Sequence, residues 1–175
     1  DDVTQLNTDG LIKKSIARNV LKSLAEDTID LLGTSVAVYE KNGDYAFGMF
    51  ASGWCRFMDS ASFKLCRTGN TKKALTFGKW LCHDDCWNNS AKTAINSGKS
   101  TDIKCVGGIN LYCEPIFAGK EVIGAINIGY GDPPDYDVDL EKLASEFKVD
   151  LIKLKDAAAD YRSRPAYIVN LAKKR

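Results

Sequence analysis

The chain has little of several features that would otherwise define its function. Only one histidine, His83, occurs among 175 residues, so a hydrolytic zinc site built on several histidines is disfavoured. The net charge of +1 gives no electrostatic basis for binding nucleic acid or an anionic membrane. No apolar run approaches the ~18 residues that a membrane-spanning helix needs. What remains is a single globular domain, in agreement with 45% hydrophobic and 27% charged residues.

The chain also lacks an initiator methionine and a secretory signal. Residues 1–4 form neither a basic start nor an apolar segment. Residues 172–175 still follow a helical pattern where the sequence stops. We therefore expect residues 1–175 to be one cytoplasmic domain cut or processed from a longer protein.

Cysteine, by contrast, is abundant. Five of the six cysteines lie between Cys55 and Cys105, and Cys113 follows shortly after. So many cysteines have three alternative interpretations: they form disulfides with each other, they bind a metal or cluster, or they line a pocket. Reduced cytoplasmic thiols disfavour disulfides, and cysteine-rich tracts in such proteins more often indicate metal binding or catalysis.

Periodicity predicts helices at both ends of the chain and five strands between them. The N-terminal helix is expected over 10–31, with a stripe of Ile16, Val20 and Leu24, and Gly33 ends it. The strands are expected at 34–40, at 45–49 after the hairpin signal Asn42-Gly43, at 101–106, at 109–117 and at 122–130. Val122, Gly124, Ile126 and Ile128 are expected to share one face of the last strand. Helices are expected over 138–147, 150–160 and 164–175, with Pro165 in the first turn of the last.

A segment rich in cysteine and tryptophan, residues 52–98, interrupts the strands and predicts two or three short helices. The clearest runs from about 85 to 97, with Asp84 as N-cap and Gly98 at its end. Trp87, Ala91, Ala94 and Ile95 share one side of it.

This element order predicts an α+β fold with a five-stranded antiparallel sheet like that of PAS and GAF domains. The sheet core is expected over 34–130, with the helical insert 52–98 after the second strand. The flanking helices, 10–33 and 138–175, are expected to cover one face of the sheet. The insert is expected to arch over the other face and enclose a cavity.

Cys82 and Cys86 are the most informative pair, because a spacing of four places both on one side of a helix. If Asp84 caps the helix, free N–H groups near Cys86 favour a thiolate. The spacing is not that of a zinc ribbon, so a metal site must combine separate elements. Five cysteines are candidate metal ligands, and four of them would hold an iron–sulfur cluster or Zn²⁺. We expect these four to be Cys55, Cys82, Cys86 and Cys105 rather than a set that includes Cys66. The alternative is that these cysteines are small buried hydrophobes.

The aromatic residues beside the cysteines predict a pocket wall or, alternatively, a core beneath the insert. The expected ligand-binding residues are Trp54, Cys55, Phe57, Trp80, Cys82, His83, Cys86, Trp87, Cys105 and Tyr112. A thiol-dependent enzyme is a further alternative, but only His83 is available as a base and Cys-x-x-Cys is missing. We expect no catalytic residue in this domain.

Several motifs resemble PocR-type sensory domains of bacterial and archaeal signalling proteins. They are Trp54-Cys55-Arg56, the run from Lys79 to Trp87, the run from Asp102 to Ile109, Pro115-Ile116 with Gly119, and Ile123-Gly124. The resemblance covers about residues 11–175. It implies a PAS-like sheet that binds a small organic effector and adjoins an output domain such as a histidine kinase. It leaves open whether this chain binds an organic molecule, a metal, a cluster or a haem.

The terminal helices predict how such a sensory domain would assemble. Ile16, Val20 and Leu24 at one end, and Ile168 and Leu171 at the other, form apolar stripes that pair well across a homodimer. Helix pairs of this kind transmit signals by rotating or sliding between two states.

Overall fold

Five antiparallel strands form one sheet in the order β2-β1-β5-β4-β3. The structure, a computed structural model, describes residues 10–50 and 52–174. The strands are β1 Ser35–Glu40, β2 Tyr45–Phe50, β3 Thr101–Lys104, β4 Asn110–Ala118 and β5 Glu121–Tyr130. The helices are α1 Leu11–Ser15, α2 Arg18–Leu32, α3 Gly53–Leu65, α4 Thr71–Thr76, α5 Leu81–Asp84, a π-helix Asp85–Ala91, α6 Lys92–Ser97, α7 Asp137–Phe147, α8 Leu151–Ala159 and α9 Ala166–Ala172. The predicted α+β fold, with its PAS/GAF-like sheet and flanking helices, is confirmed.

Strand β1 lies inside the sheet, between β2 and β5, and both of its faces are buried. It pairs with β2 across the Asn42-Gly43 hairpin and with β5 on its other side. Gly43 has a φ of 94°, which a glycine adopts without strain, and the Trp87 ring packs directly on it. The predicted hairpin is therefore confirmed, and Trp87 fastens its turn to the insert.

The N-terminal helices cover one face of the sheet. Ile12 and Leu21 pack against Val38 and Ile123. The buried carboxylate of Glu40 accepts the backbone N–H groups of Ile12 (3.0 Å) and Lys13 (2.8 Å), which holds the start of α1 at the end of β1. The prediction of one helix over 10–31 was wrong, because the extended backbone of Ile16 separates α1 from α2.

The insert covers the opposite face of the sheet through the π-helix and α6. Ala91, Ala94 and Ile95 pack against Tyr39 and the neighbouring strands, as their spacing predicted. Gly98 ends α6 in the left-handed conformation. The prediction that Asp84 is an N-cap was wrong, because Asp84 has helical dihedral angles inside a helical stretch that begins at Leu81.

The C-terminal helices cover the predicted sheet face in part, because Lys173 at the end of α9 lies over the rings of Tyr112 and Tyr130. Helices α7 and α8 pack on α3, where Phe147 and Leu154 meet Trp54 and Met58 in a third apolar cluster. Helix α9 packs on α2, preceded by Pro165 at its N-cap rather than in its first turn. The two ends of the described chain therefore lie against each other.

Strand β5 differs from its predicted facing. Val122 packs in the cluster beneath the insert, whereas Ile126 packs in the cluster beneath the N-terminal helices, so the predicted set does not share one face. Both faces of the strand are covered, so apolar residues of either parity are accommodated.

Within residues 10–50 and 52–174, no helix has the length and apolar character needed to cross a membrane.

Candidate functional site

Four cysteines converge on one cavity between the sheet and the insert, which we call the thiol cavity. Its volume is about 40 Å³, room for about three water-sized spheres. Its lining residues are Ser35, Trp54, Cys55, Met58, Asp59, Cys82, Cys86, Cys105, Val106, Gly107, Ile109, Asn110, Leu111 and Gly129. All six cysteines of the chain are free thiols. Cys66 and Cys113 lie elsewhere, so the fold brings together the four cysteines that the sequence favoured as ligands.

Three separate elements carry these four thiols. Cys55 lies in the first turn of α3, where the Ser52 side chain caps the helix by accepting the Cys55 N–H (3.1 Å). Cys82 and Cys86 lie one turn apart on the helical stretch that begins at Leu81. Cys105 follows β3 rather than ending it, in a tight turn where its carbonyl accepts the Gly108 N–H (2.8 Å).

Hydrogen bonds fix these elements to one another. The buried indole of Trp54 donates to the Gly107 carbonyl (2.9 Å) and so ties α3 to the turn that carries Cys105. The Asp85 carboxylate accepts the Val106 N–H (2.7 Å) and ties the π-helix to the same turn. Each bond joins two cysteine-bearing elements, so the positions of the thiols are fixed by hydrogen bonds among the residues around the cavity.

The π-helix Asp85–Ala91 is itself a marker of function. Such helices are rare and occur frequently at functional sites. Asn127, on the buried face of β5, donates its side-chain amide to the Cys86 carbonyl (2.8 Å). The buried Ser90 hydroxyl donates to the Asn127 amide oxygen (3.5 Å). The central strand therefore holds the wide helical turn against the sheet at the position of Cys86.

Burial keeps the thiols protonated. It raises the pKa of Cys82 and of Cys86 well above the ordinary value, and that of Cys105 to about 11. Burial also raises the pKa of Cys55, although hydrogen bonds from Ser52 and Ser35 oppose this. Negative charge on neighbouring thiols, Cys55 among them, raises the pKa values of Cys82, Cys86 and Cys105 further, which places the four groups within electrostatic reach of one another. The helix-dipole argument for a Cys86 thiolate is therefore wrong for the protein without a ligand.

Asp59 is the one carboxylate among the lining residues of the cavity. Burial raises its pKa, while the Trp80 indole, which donates to one carboxylate oxygen (2.8 Å), lowers it. Trp80 packs edge-on against Phe63 and lies 5.0 Å from the His83 ring, centroid to centroid. Trp80 thus supports the site by orienting Asp59 and does not line the cavity.

A second, smaller cavity of about 20 Å³ adjoins the first and shares Ser35, Asp59, Cys82 and Cys86 with it. Its polar wall is a chain of three side chains, in which Tyr39 donates to Tyr45 (3.0 Å) and Tyr45 meets His83 Nδ1 (3.0 Å). Burial lowers the pKa of His83, which favours the neutral ring. A neutral His83 ring whose proton is on Nε2 would accept the Tyr45 proton at Nδ1.

Single-ion geometry is absent from this arrangement. No three His, Cys, Asp or Glu side chains of residues 10–50 and 52–174 are grouped as ligands of one metal ion. A tetrahedral Zn²⁺ with Zn–S bonds of 2.3 Å needs thiols about 3.8 Å apart. Iron–sulfur clusters also bind through four cysteine thiolates, but the ligands surround a polynuclear core and are spaced more widely.

The remaining predicted ligand-binding residues lie outside the thiol cavity. Phe57 faces a separate groove on the far side of α3. Trp87 packs on Gly43 and Tyr39, and His83 lines only the second cavity. Tyr112 lies on the opposite face of the sheet, where it donates to Glu114 (2.5 Å).

Sequence reasoning missed the residues whose positions depend on the sheet register or on helix contacts. Asp59 follows Cys55 by four on α3, a spacing that would have indicated the shared side of the helix. Ser35, Tyr39 and Asn127 reach the cavities only because β1 and β5 pair in the centre of the sheet.

The resemblance to PocR-type domains stays a prediction that rests on the quoted motifs. Comparison of the chain with protein-family models, curated proteins and solved structures finds no match.

Proposed function

We propose that the chain is a sensory domain that binds its effector at the thiol cavity and passes the change to an output domain, such as a histidine kinase, through its terminal helices. The observation that carries this proposal is the convergence of four cysteines from three elements on one cavity. Two other cysteines of the same chain, Cys66 and Cys113, are buried in ordinary packing. The proposal places the domain in the cytoplasm, where thiols stay reduced, and assigns it no reaction of its own.

The chemistry of the cavity favours a metal centre as the effector. Thiolates are soft ligands that suit zinc and iron–sulfur clusters. The lack of a single-ion grouping among the described side chains favours a cluster over zinc. Cys55, Cys82, Cys86 and Cys105 would be its ligands, and the raised thiol pKa values require that binding release protons.

A second candidate is a small organic effector with one or two polar groups. The Tyr39–Tyr45–His83 chain and Asp59 supply donors and acceptors at the wall of the second cavity. The thiol-enzyme alternative gains no such support. Burial raises the pKa of the cavity thiols, which disfavours the thiolate nucleophile that such an enzyme needs.

The metal-centre proposal is tested by anaerobic purification followed by visible spectroscopy and by iron, sulfide and zinc analysis. We expect colour that bleaches on oxidation and stoichiometric iron and sulfide. Replacing Cys55, Cys82, Cys86 or Cys105 singly by serine should remove most of the iron. Cys66→Ser and Cys113→Ser are matched controls, because both are buried cysteines outside the cavity, and they should retain it.

Two results would contradict the proposal. A metal-free protein in which all six thiols titrate, and which stays metal-free after anaerobic reconstitution, excludes the metal centre and leaves the organic effector. Metal loss that is equal for the cavity and control cysteines would show that general unfolding, rather than lost ligands, explains the effect.

A further inference from the structure

A groove of about 920 Å³ lies on the far side of α3 from the thiol cavity, and its charge is strongly one-sided. Six cationic side chains line it, against two carboxylates. The cations are Arg56, Lys64, Arg67, Lys79, Lys148 and Lys153, and the carboxylates are Glu146 and Asp150. Since the whole chain carries a net charge of only +1, this excess is local rather than a general property of the surface. We call this surface the cationic groove.

The groove cations form no ion pair with any of the described residues. Among the residues that the structure describes, the ion pairs are Lys22–Glu26, Lys155–Asp137 and Lys173–Asp102, and none includes a groove cation. Asp150 uses its carboxylate to accept the Lys153 backbone N–H (3.0 Å) as the N-cap of α8. Clustered like charges repel one another, and an anionic ligand would relieve that repulsion.

Backbone conformation gives a second sign that these positions are special. Arg67 and Lys148 are the two non-glycine residues with positive φ in the described chain, at 51° and 52°. Each lies just past the end of a helix, α3 or α7, where glycine is usual because it has no Cβ. Long cationic side chains therefore occupy both helix ends at the groove, where the backbone favours glycine.

The rest of the groove is mostly apolar, with Ser60 as a polar exception. Phe57, Leu81, Phe147 and Val149 contribute to its lining. Its volume lies in the range of small-molecule sites, which combine apolar walls with a few polar groups that fix orientation. Arginine and lysine together bind phosphate groups, arginine through a two-pronged contact and lysine as a point charge.

We propose that the cationic groove binds a small organic polyphosphate of the nucleoside triphosphate class, with the phosphates on the cations and the base on the apolar side chains. This site is independent of the effector proposed for the thiol cavity. Arg56 follows Cys55 directly in the chain, and Leu81 directly precedes Cys82. The two sites therefore share α3 and α5, and a ligand in the groove contacts the elements that carry cavity thiols.

Calorimetric titration of the whole chain with ATP, tripolyphosphate and adenosine tests the proposal. We expect ATP to bind with a dissociation constant below about 1 mM. Tripolyphosphate should bind more weakly, because it lacks a base for the apolar part of the groove, and adenosine more weakly still, because it lacks charge. The affinity for ATP should fall as salt is added.

Arg67→Gly and Lys148→Gly provide variants whose folding is protected, since glycine suits both backbone positions. Each should weaken ATP binding about tenfold, as expected for a lost charge-assisted contact, without lowering the unfolding midpoint. Lys99→Gly, an exposed lysine just beyond the end of α6, is the matched control and should bind ATP normally.

Three outcomes would overturn the proposal. The first is that none of the probes binds at millimolar concentration. The second is that both glycine variants bind ATP as well as the unaltered chain does. The third is that a hexaglutamate peptide binds more tightly than ATP, which would make the groove a docking surface for an acidic protein segment.

Discussion

Replacing Asp85 by alanine should both destabilise the fold and separate two of the four cavity thiols. Asp85 directly precedes Cys86 in the chain, and its carboxylate accepts the N–H of Val106, the residue after Cys105. Loss of a hydrogen bond to a charged group costs about 1.5–3 kcal/mol. The second bond of Asp85, from the exposed Asn89 amide, adds little because water replaces it. We therefore expect the free energy of unfolding to fall by about 2 kcal/mol.

The size of this effect is measurable by urea unfolding of the metal-free protein, followed by tryptophan fluorescence. With a denaturant slope of about 2 kcal/mol per molar urea, the midpoint should fall by about 1 M. Asp85→Asn keeps an acceptor oxygen but loses the charge, so its loss should be near 1 kcal/mol. Reconstituted iron per chain should fall in the same order, because the turn that carries Cys105 is no longer fixed to the π-helix.

Asp84→Ala is the matched control for this prediction. Asp84 carries the same charge, precedes Asp85 directly and makes no hydrogen bond or ion pair through its carboxylate with any residue that the structure describes. The reasoning is refuted if Asp85→Ala leaves the midpoint and the iron content unchanged. It is equally refuted if Asp84→Ala has the same effect, since charge near the helix rather than the bond to Val106 would then be responsible.

Three further predictions concern the sheet, the thiols and the terminal helices. Asn127→Ala should lower the free energy of unfolding by about 1–3 kcal/mol, because it leaves the Cys86 carbonyl without its side-chain donor. Asn88→Ala, at an exposed position, is the control. Equal urea midpoints for the two variants would contradict the role of Asn127. Burial raises the pKa of Cys105 from 9.0 to about 11 and that of Cys113 from 9.0 to about 12, so the folded state holds protons that the unfolded state has lost. The contribution of these two thiols to the stability of the metal-free protein should therefore be constant well below pH 9 and fall between about pH 9 and 12. Chemical unfolding at constant salt that shows a rise in stability in this window would refute the assignment. We propose that the chain forms a homodimer through Val20 and Leu24, which are 46% and 55% exposed on α2. In sedimentation the Leu24→Glu variant should be a monomer, whereas the control variant Ile152→Glu, on α8, should remain a dimer. A monomeric protein before any substitution would exclude this interface.

Local signals were sufficient where the chain determines its own conformation. The Asn42-Gly43 hairpin and the end of α6 at Gly98 were predicted correctly, because glycine at positive φ determines each of them. The choice of Cys55, Cys82, Cys86 and Cys105 as one set also matches their convergence, since three of the four lie within the insert and Cys105 follows it closely in the chain. Their role as ligands is still a prediction.

The errors come from tertiary contacts that the local pattern does not contain. Asp84 has the residue type of a helix cap, but the packing of Cys82 against α3 extends the helix to Leu81. Tyr112 was assigned to the pocket although its neighbour Cys113 faces the insert, and adjacent residues of a strand face opposite ways. The burial of Asn127 follows from strand pairing, and no spacing in the sequence reveals it.

The wide turn of the π-helix has a consequence for the phase of the helix that contains it. In an α-helix each residue advances the direction of the side chain by about 100°, whereas a π-turn takes up one extra residue. Cys82, before the turn, and Cys86, at its start, line the thiol cavity, whereas Ala94 and Ile95, after the turn, pack against the sheet. Without the extra residue, one of these two sets would be rotated away from its target. The π-turn is thus a phase correction that lets one continuous helix serve two surfaces at once.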